Sequence, residues 1–195
     1  KEALGRVVLK EFEIAGYDMP CVDLAVNVDV FPKPNGGTGI NAMSWQGGGK
    51  VATGMVAAAR LGAKCAMMGA VGSDDYGEFC LRDFERHGID ISGMKTRQGE
   101  TTSLSIVLSD RETQGRSIVY RSGTASPPTL EEIEERILTG CQLVFYLSCH
   151  TCGNGISQAG KESGCQNHRG RRFLLIGNDG EYRHHRRFYC FGILL

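Results

Sequence analysis

The sequence predicts an α/β fold carrying a small β appendage, and three observations predict it. Short apolar, β-branched runs recur along the chain. Glycine-terminated helical stretches lie between them, and two extended runs joined by a polar turn interrupt the alternation. CVDLAVNVDVF (21–31) is a strand stopped by Pro32 and Pro34. Residues 35–49 make a glycine-rich loop ending in Gly47, Gly48 and Gly49. VATGMVAAARLG (51–62) has the alanine-rich character of a close-packed helix, ended by Gly62. KCAMMGAVG (64–72) is a short buried strand. SDDYGEFCLRDFERHG (73–88) is a helix with Ser73 as cap, acids in its first turn and Gly88 at its end. SLSIVLSD (103–110) and SIVYRSG (117–123) pair as a hairpin. TLEEIEERILTG (129–140) is an amphipathic helix capped by Thr129, and QLVFYLS (142–148) is a last buried strand.

With 195 residues, 41% of them apolar, the chain can bury one ordinary core. Twenty-two basic and 22 acidic side chains cancel, so no electrostatic footprint points to nucleic acid or to an anionic membrane. No apolar run approaches the roughly 18 residues that a spanning helix needs. KEALGRVVLKEFEIAGYDMP lacks the uninterrupted apolar segment of a signal peptide. The eight cysteines are scattered, with Cys65 and Cys80 in apolar stretches, so most of them are expected to be reduced and buried, in a cytoplasmic protein.

The chemically informative stretch is GGGKVATGMVAAARLG (47–62). Glycines before a helix let backbone approach a ligand, and a helix N-terminus offers free N–H groups that could hold phosphate or sugar hydroxyls. The plain alternative is a tight strand-to-helix connection. The stretch is no Walker A loop, because Lys50 is followed by Val51, and it contains no GxGxxG.

The same stretch resembles the first signature of the ribokinase (PfkB) family, GGKxxNxAxxxxxLG, with Gly48, Gly49, Lys50, Met55-Val56-Ala57-Ala58-Ala59, Leu61 and Gly62 in place. VDLAVNVDVFPKP resembles the family's first strand, and GAVGSDDYGEFCLRDFERHGID resembles its GxxGxDxxGxxxxxxLxxxGID segment. GETTSLSIVLSDRETQGRSIVYRSGTA resembles the lid hairpin that closes over the sugar, so the likeness runs from about residue 12 to 148. It implies a ribokinase-like three-layer α/β sandwich, incomplete, with a β-hairpin lid drawn from about 20–45 and 100–123. It also implies ATP-dependent phosphorylation of a sugar hydroxyl, with Mg²⁺ bridging the ATP phosphates, and a homodimer formed through the lids, as in some relatives. Residue by residue, it implies that Asp23 accepts hydrogen bonds from sugar hydroxyls and that Gly48, Gly49 and Lys50 form the loop over the sugar. Two positions depart from the pattern. The family's Asn falls at Thr53, which keeps a hydroxyl but loses the amide's paired donor and acceptor, and Ser148 stands where ribokinases place an acidic sugar contact.

The family's second signature, DTxGAGD, supplies an anion hole and the catalytic base. No such string occurs here, so no residue is assigned as base and the ATP-binding part is expected to be absent from this chain. Residues 1–151 are expected to form the N-terminal part of the domain. The tail from 152 is rich in Arg, His, Gly and Cys and has no clear period until its last residues. Degenerate codons for Gly164 to Phe173, read one nucleotide later, can encode GAKITVDADF, a strand ending in Asp as the family has there. Shifting Phe188 to Phe191 allows FIAS. The tail is therefore expected to reflect a slipped reading frame. Cys149, His150 and Cys152 lack a second correctly spaced ligand pair, so no zinc site is expected. Two rivals stand beside the kinase: a non-catalytic sugar-binding or lid-mediated interaction fragment, and an unrelated α/β nucleotide-binding protein whose glycine loop holds phosphate.

Overall fold

A computed structural model describes residues 10–148 and 172–177. The first strand, β1 (Phe12–Asp18), is absent from the sequence expectations, because FEIAGYD carries charge at both ends and a glycine in its middle. It is nonetheless the central strand of the molecule. It leads into β2 (Cys21–Val28) and β3 (Ile40–Gly48), an antiparallel pair in register from Cys21–Gly48 to Val28–Ile40. Most of the segment expected to be a glycine-rich loop is thus a strand. Its own side chains are exposed, so its conformation comes from the ladder with β2 and not from local propensity.

α1 (Lys50–Arg60) follows, then β4 (Cys65–Gly72), α2 (Asp75–Arg86) and β5 (Asp90–Arg97). β6 (Ser103–Asp110) and β7 (Arg116–Arg121) form the expected hairpin. The helix expected over 129–140 is broken. A 3-10 turn, Leu130–Glu132, closes under a capping box between Thr129 and Glu132, and α3 begins only at Glu135 (Glu135–Gly140). The break lets Ile133 turn its side chain onto the core beside Phe12 and Tyr17, while Arg97 holds Glu132 through two bonds of 2.7 Å. β8 (Cys141–Ser148) is as expected. β9 (Arg172–Gly177) is not: it lies in the tail where no strand is expected in this frame, and the run Phe173-Leu174-Leu175-Ile176 pairs in parallel with β8.

Two sheets result. Five parallel strands in the order β5-β4-β1-β8-β9 make the core sheet, and β3-β2-β6-β7 make the lid. Period-two alternation in β4 feeds both faces of the core sheet. Cys65 and Met67 join Val51, Met55 and Phe84 under α1 and α2. Ala66 and Met68 join Ala15, Tyr17, Ile137 and Val144 under α3. The architecture is thus the expected three-layer α/β arrangement with a β lid. Met55, Met67 and Met68 are fully buried, each worth roughly 1.5–3 kcal/mol of transfer free energy. α1 crosses the sheet at small residues: a Cβ on Gly16 would stand 2.6 Å from Met55 and Met67, and one on Gly54 would stand 2.7 Å from Phe145. Cys21, Cys65 and Cys80 are free thiols.

The Glu132 carboxylate, gripped by Arg97, is held down to about 2 from an ordinary 4.5. A depressed carboxylate contributes stability that is present above the ordinary value and lost as pH falls through the folded one. Acid unfolding between pH 4.5 and about 2 should therefore be less steep in Glu132→Gln than in the parent, as followed by circular dichroism.

Candidate active site at the glycine loop

From β1 the chain moves out to β4 and β5 on one side, then returns to β8 and β9 on the other. The strand order therefore reverses at the carboxyl ends of β1 and β8, where open α/β sheets bind ligands. Asp18 ends β1 there, and both the lid and the glycine loop spring from the same point.

α1 has no side-chain cap of its own: Gly49, at φ 109°, contributes none. The acceptor comes from another strand. Asp18 Oδ2 takes the N–H groups of Val51 (2.9 Å) and Ala52 (3.0 Å), and its Oδ1 takes that of Met19 (2.9 Å). Burial, the largest influence, pushes this carboxyl above its ordinary value, against those bonds and the nearby charge of Lys50.

Each of the three consecutive glycines faces a different carboxylate. A Cβ on Gly47 would lie 2.6 Å from Asp83 Oδ2, one on Gly48 would lie 2.5 Å from Asp23 Oδ2, and one on Gly49 would lie 2.9 Å from Asp18 Oδ2. Any side chain in the run would displace an acid contributed by α2, β2 or β1. The three acids differ in what already occupies them. Asp18 already accepts three N–H groups. Asp83 pairs with Arg86 at 2.5 Å. Asp23 receives, among the described residues, one hydrogen bond, from the Cys21 thiol at 3.6 Å. Burial and the charge of Asp23 push that thiol up to about 12, so it stays protonated as a donor.

Of the residues singled out from sequence, Asp23, Gly48 and Gly49 come together at this loop. Lys50 opens α1, exposed and without an ion-pair partner among the described residues. Thr53 lines a cavity of about 60 Å³ between α1 and α2 with Gly47, Gly48, Cys80, Asp83 and Phe84. Gly48 borders both places. The Ser148 side chain, Cys149, His150, Cys152 and the later histidines lie outside the described residues. No group of three His, Cys, Asp or Glu able to hold a metal occurs among the described ones. No helix there is long and apolar enough to cross a membrane.

The GxxGxDxxG segment has a structural explanation. Gly69 passes the Asp18 carbonyl, Gly72 passes that of Glu100, and Gly77 passes that of Gly72. Asp74, not the expected Ser73, caps α2: its Oδ1 takes Gly77 N–H and its Oδ2 takes Thr102 N–H, both at 3.0 Å. Ser73 instead accepts from Gly99 N–H at 3.0 Å.

Residues 13–152 match the family described as pfkB family carbohydrate kinase. The chain belongs to that family. Over 126 residues it is 30% identical to an ATP-dependent ribose-1-phosphate kinase of Halopiger xanaduensis, covering 65% of this chain and 42% of that protein. Over 106 residues it is 36% identical to a ribokinase of Haemophilus influenzae, covering 53% and 34%. A solved ribokinase of Cryptococcus neoformans var. grubii serotype A, in complex with ADP, superposes with a TM-score of 0.60 at 17% identity, over 84% of this chain and 49% of that one. This pfkB-family chain thus spans less than half the length of each of these relatives. Asp18 was not legible as a functional residue from the family motif. The signal available was negative, a helix whose N-terminus has no capping side chain in its own sequence.

Proposed function

We propose that residues 10–148 form the sugar-holding part of a kinase that transfers phosphate from ATP to a sugar hydroxyl. The observation that carries the reading is the contrast between the two carboxylates at the loop. Asp18 is spent on the backbone, whereas Asp23, against Gly48, keeps its acceptor sites open at the mouth of the switch point. An ionised carboxylate with free lone pairs suits a polyol, since hydrogen bonds to a charged acceptor are worth about 1.5–3 kcal/mol each. Gly48 and Gly49 allow close approach, and Lys50 is free to reach a hydroxyl or the transferred group. Thr53 borders the site through Gly48.

ATP and Mg²⁺ are the cofactors that the family implies. The described residues do not fit a triphosphate. The N-termini of both long helices are taken by carboxylates, α1 by Asp18 and α2 by Asp74. On this reading the base and the phosphate-handling groups lie outside residues 10–148, and sugar binding without turnover is the second reading that the same capping favours. It also speaks against a nucleotide-binding role for the glycine loop.

Calorimetric titration with a panel of neutral sugars and nucleosides should find one saturable ligand. Thermal melts should show protection by that ligand and none by ATP alone. Protection by ATP with no response to any polyol would sink the reading, and phosphoryl transfer by this chain would sink the assignment of catalysis elsewhere. Trp45 is the one tryptophan of the chain and stands on β3 of the lid, 6.0 Å from the Tyr76 ring of α2. Its emission should shift on ligand binding, and Tyr76→Ala should blunt that shift.

The lid leaves Ile40, Met43, Trp45 and Val119 exposed, a surface suited to a second lid, so a dimer should appear in sedimentation at micromolar concentration. The tail after about residue 151 is read as the product of a slipped frame in a cytoplasmic enzyme. Coding DNA whose shifted frame contains no further family-like sequence would refute this.

A further inference from the structure

The N-terminus of α1 is where a glycine loop would hold phosphate, yet in this chain it is already filled by an anion. We infer that Asp18 is a specificity-determining positioning residue: by occupying the Val51 and Ala52 N–H groups it makes the glycine loop accept uncharged hydroxyls and reject a phosphorylated end of the substrate. The inference rests on the proposed sugar site and adds the chemical class of ligand that the loop tolerates.

Three observations carry it. Two first-turn N–H groups that an anion would use, those of Val51 and Ala52, are taken, at 2.9 and 3.0 Å, by one oxygen of the same carboxylate. The next amide, that of Thr53, is bound within the helix to the Gly49 carbonyl at 2.9 Å. Asp23 lies one glycine further along the loop, so a phosphate placed over Gly48 and Gly49 would meet two carboxylates against the single ammonium of Lys50. Like charges at such range repel strongly where water is partly excluded. A neutral polyol meets no such opposition and can donate to Asp23. The arrangement also orders the loop before ligand arrives: Asp18 ties the carboxyl end of β1 to the first turn of α1, so Gly48 and Gly49 are set in place with no cost of ordering on binding.

The test uses the full chain with two kinds of probe. Inorganic phosphate is titrated at constant ionic strength, with the amide resonances of Val51 and Ala52 and the melting temperature as readouts. A neutral sugar that binds and its phosphate ester are compared by calorimetry. The parent should show no saturable phosphate response at those amides and should bind the ester at least tenfold more weakly than the neutral sugar. Asp18→Asn keeps the shape but removes the charge, so the helix N–H groups are held only by a neutral acceptor that an anion can displace. It should gain saturable phosphate binding with shifts at Val51 and Ala52, and should narrow the gap between sugar and ester. Asp18→Ala, which frees both N–H groups outright, serves in the same way should the Asn variant fold poorly. Phosphate shifts at Val51 and Ala52 in the parent, or a folded variant with no gain in phosphate binding, would overturn the inference. Failure of every neutral sugar to bind would instead remove the proposed function and leave the phosphate result to stand by itself.

Discussion

Replacing Gly69 by alanine is expected to cost about 3 kcal/mol or more, enough to unfold a marginal protein. Gly69 sits at φ 144° on β4, opposite Asp18 in the register of the two central strands. A Cβ there would stand 1.8 Å from the Asp18 carbonyl oxygen, a backbone atom that cannot swing aside. Strain from the backbone angle contributes about 1–3 kcal/mol and overpacking about as much again. For a chain of this size the melting temperature should fall by roughly 6–12 °C. Gly62→Ala is the matched control. Gly62 also has positive φ, at 96°, but nothing lies within 4 Å of its missing Cβ. If Gly69→Ala costs no more than Gly62→Ala in urea melts, the contact with Asp18 has no energetic weight.

Asp23→Asn is expected to weaken sugar binding by roughly 10- to 100-fold, the value of one hydrogen bond to a charged acceptor. The melting temperature should scarcely change. Asp23 is half-buried and is tied among the described residues by the Cys21 thiol alone, so the fold has little invested in its charge. Asn matches it in shape but turns one acceptor into a donor. Calorimetry separates the outcomes: unchanged affinity would remove Asp23 from the site, and a fall in affinity accompanied by a large loss of stability would make its role structural.

What could be read from residues alone follows the local nature of each signal. β4, α1, α2, the β6–β7 hairpin and β8 announce themselves because their apolar periodicity and their glycine or proline stops lie within one segment. The family likeness was legible for the same reason, since Gly48, Gly49, Lys50, Leu61 and Gly62 are contiguous in one stretch. β1 and β5 were not legible, because their strand character comes from neighbours in the parallel sheet and their own sequences are short and polar-ended. β3 was concealed by its exposed side chains and its glycines. The helix expected over 129–140 has the right amphipathic pattern, but Ile133 gains more from the core than from continuing the helix, and the turn breaks there. Ser73 satisfied the local capping rule as well as Asp74, but in the fold Ser73 accepts from Gly99 N–H while Asp74 bridges Gly77 and Thr102.

The sequence by itself determined the α/β class, the β lid and the family, because each is written in a short stretch of chain. The tertiary structure decided that the three glycines face three carboxylates from three elements and that α1 is capped by a residue 33 positions away. The physical reason is that backbone N–H groups at a helix N-terminus must be satisfied but do not specify by whom. When the nearest residue is a glycine with nothing to offer, the partner is chosen by which strand end the fold brings alongside, and here that is Asp18.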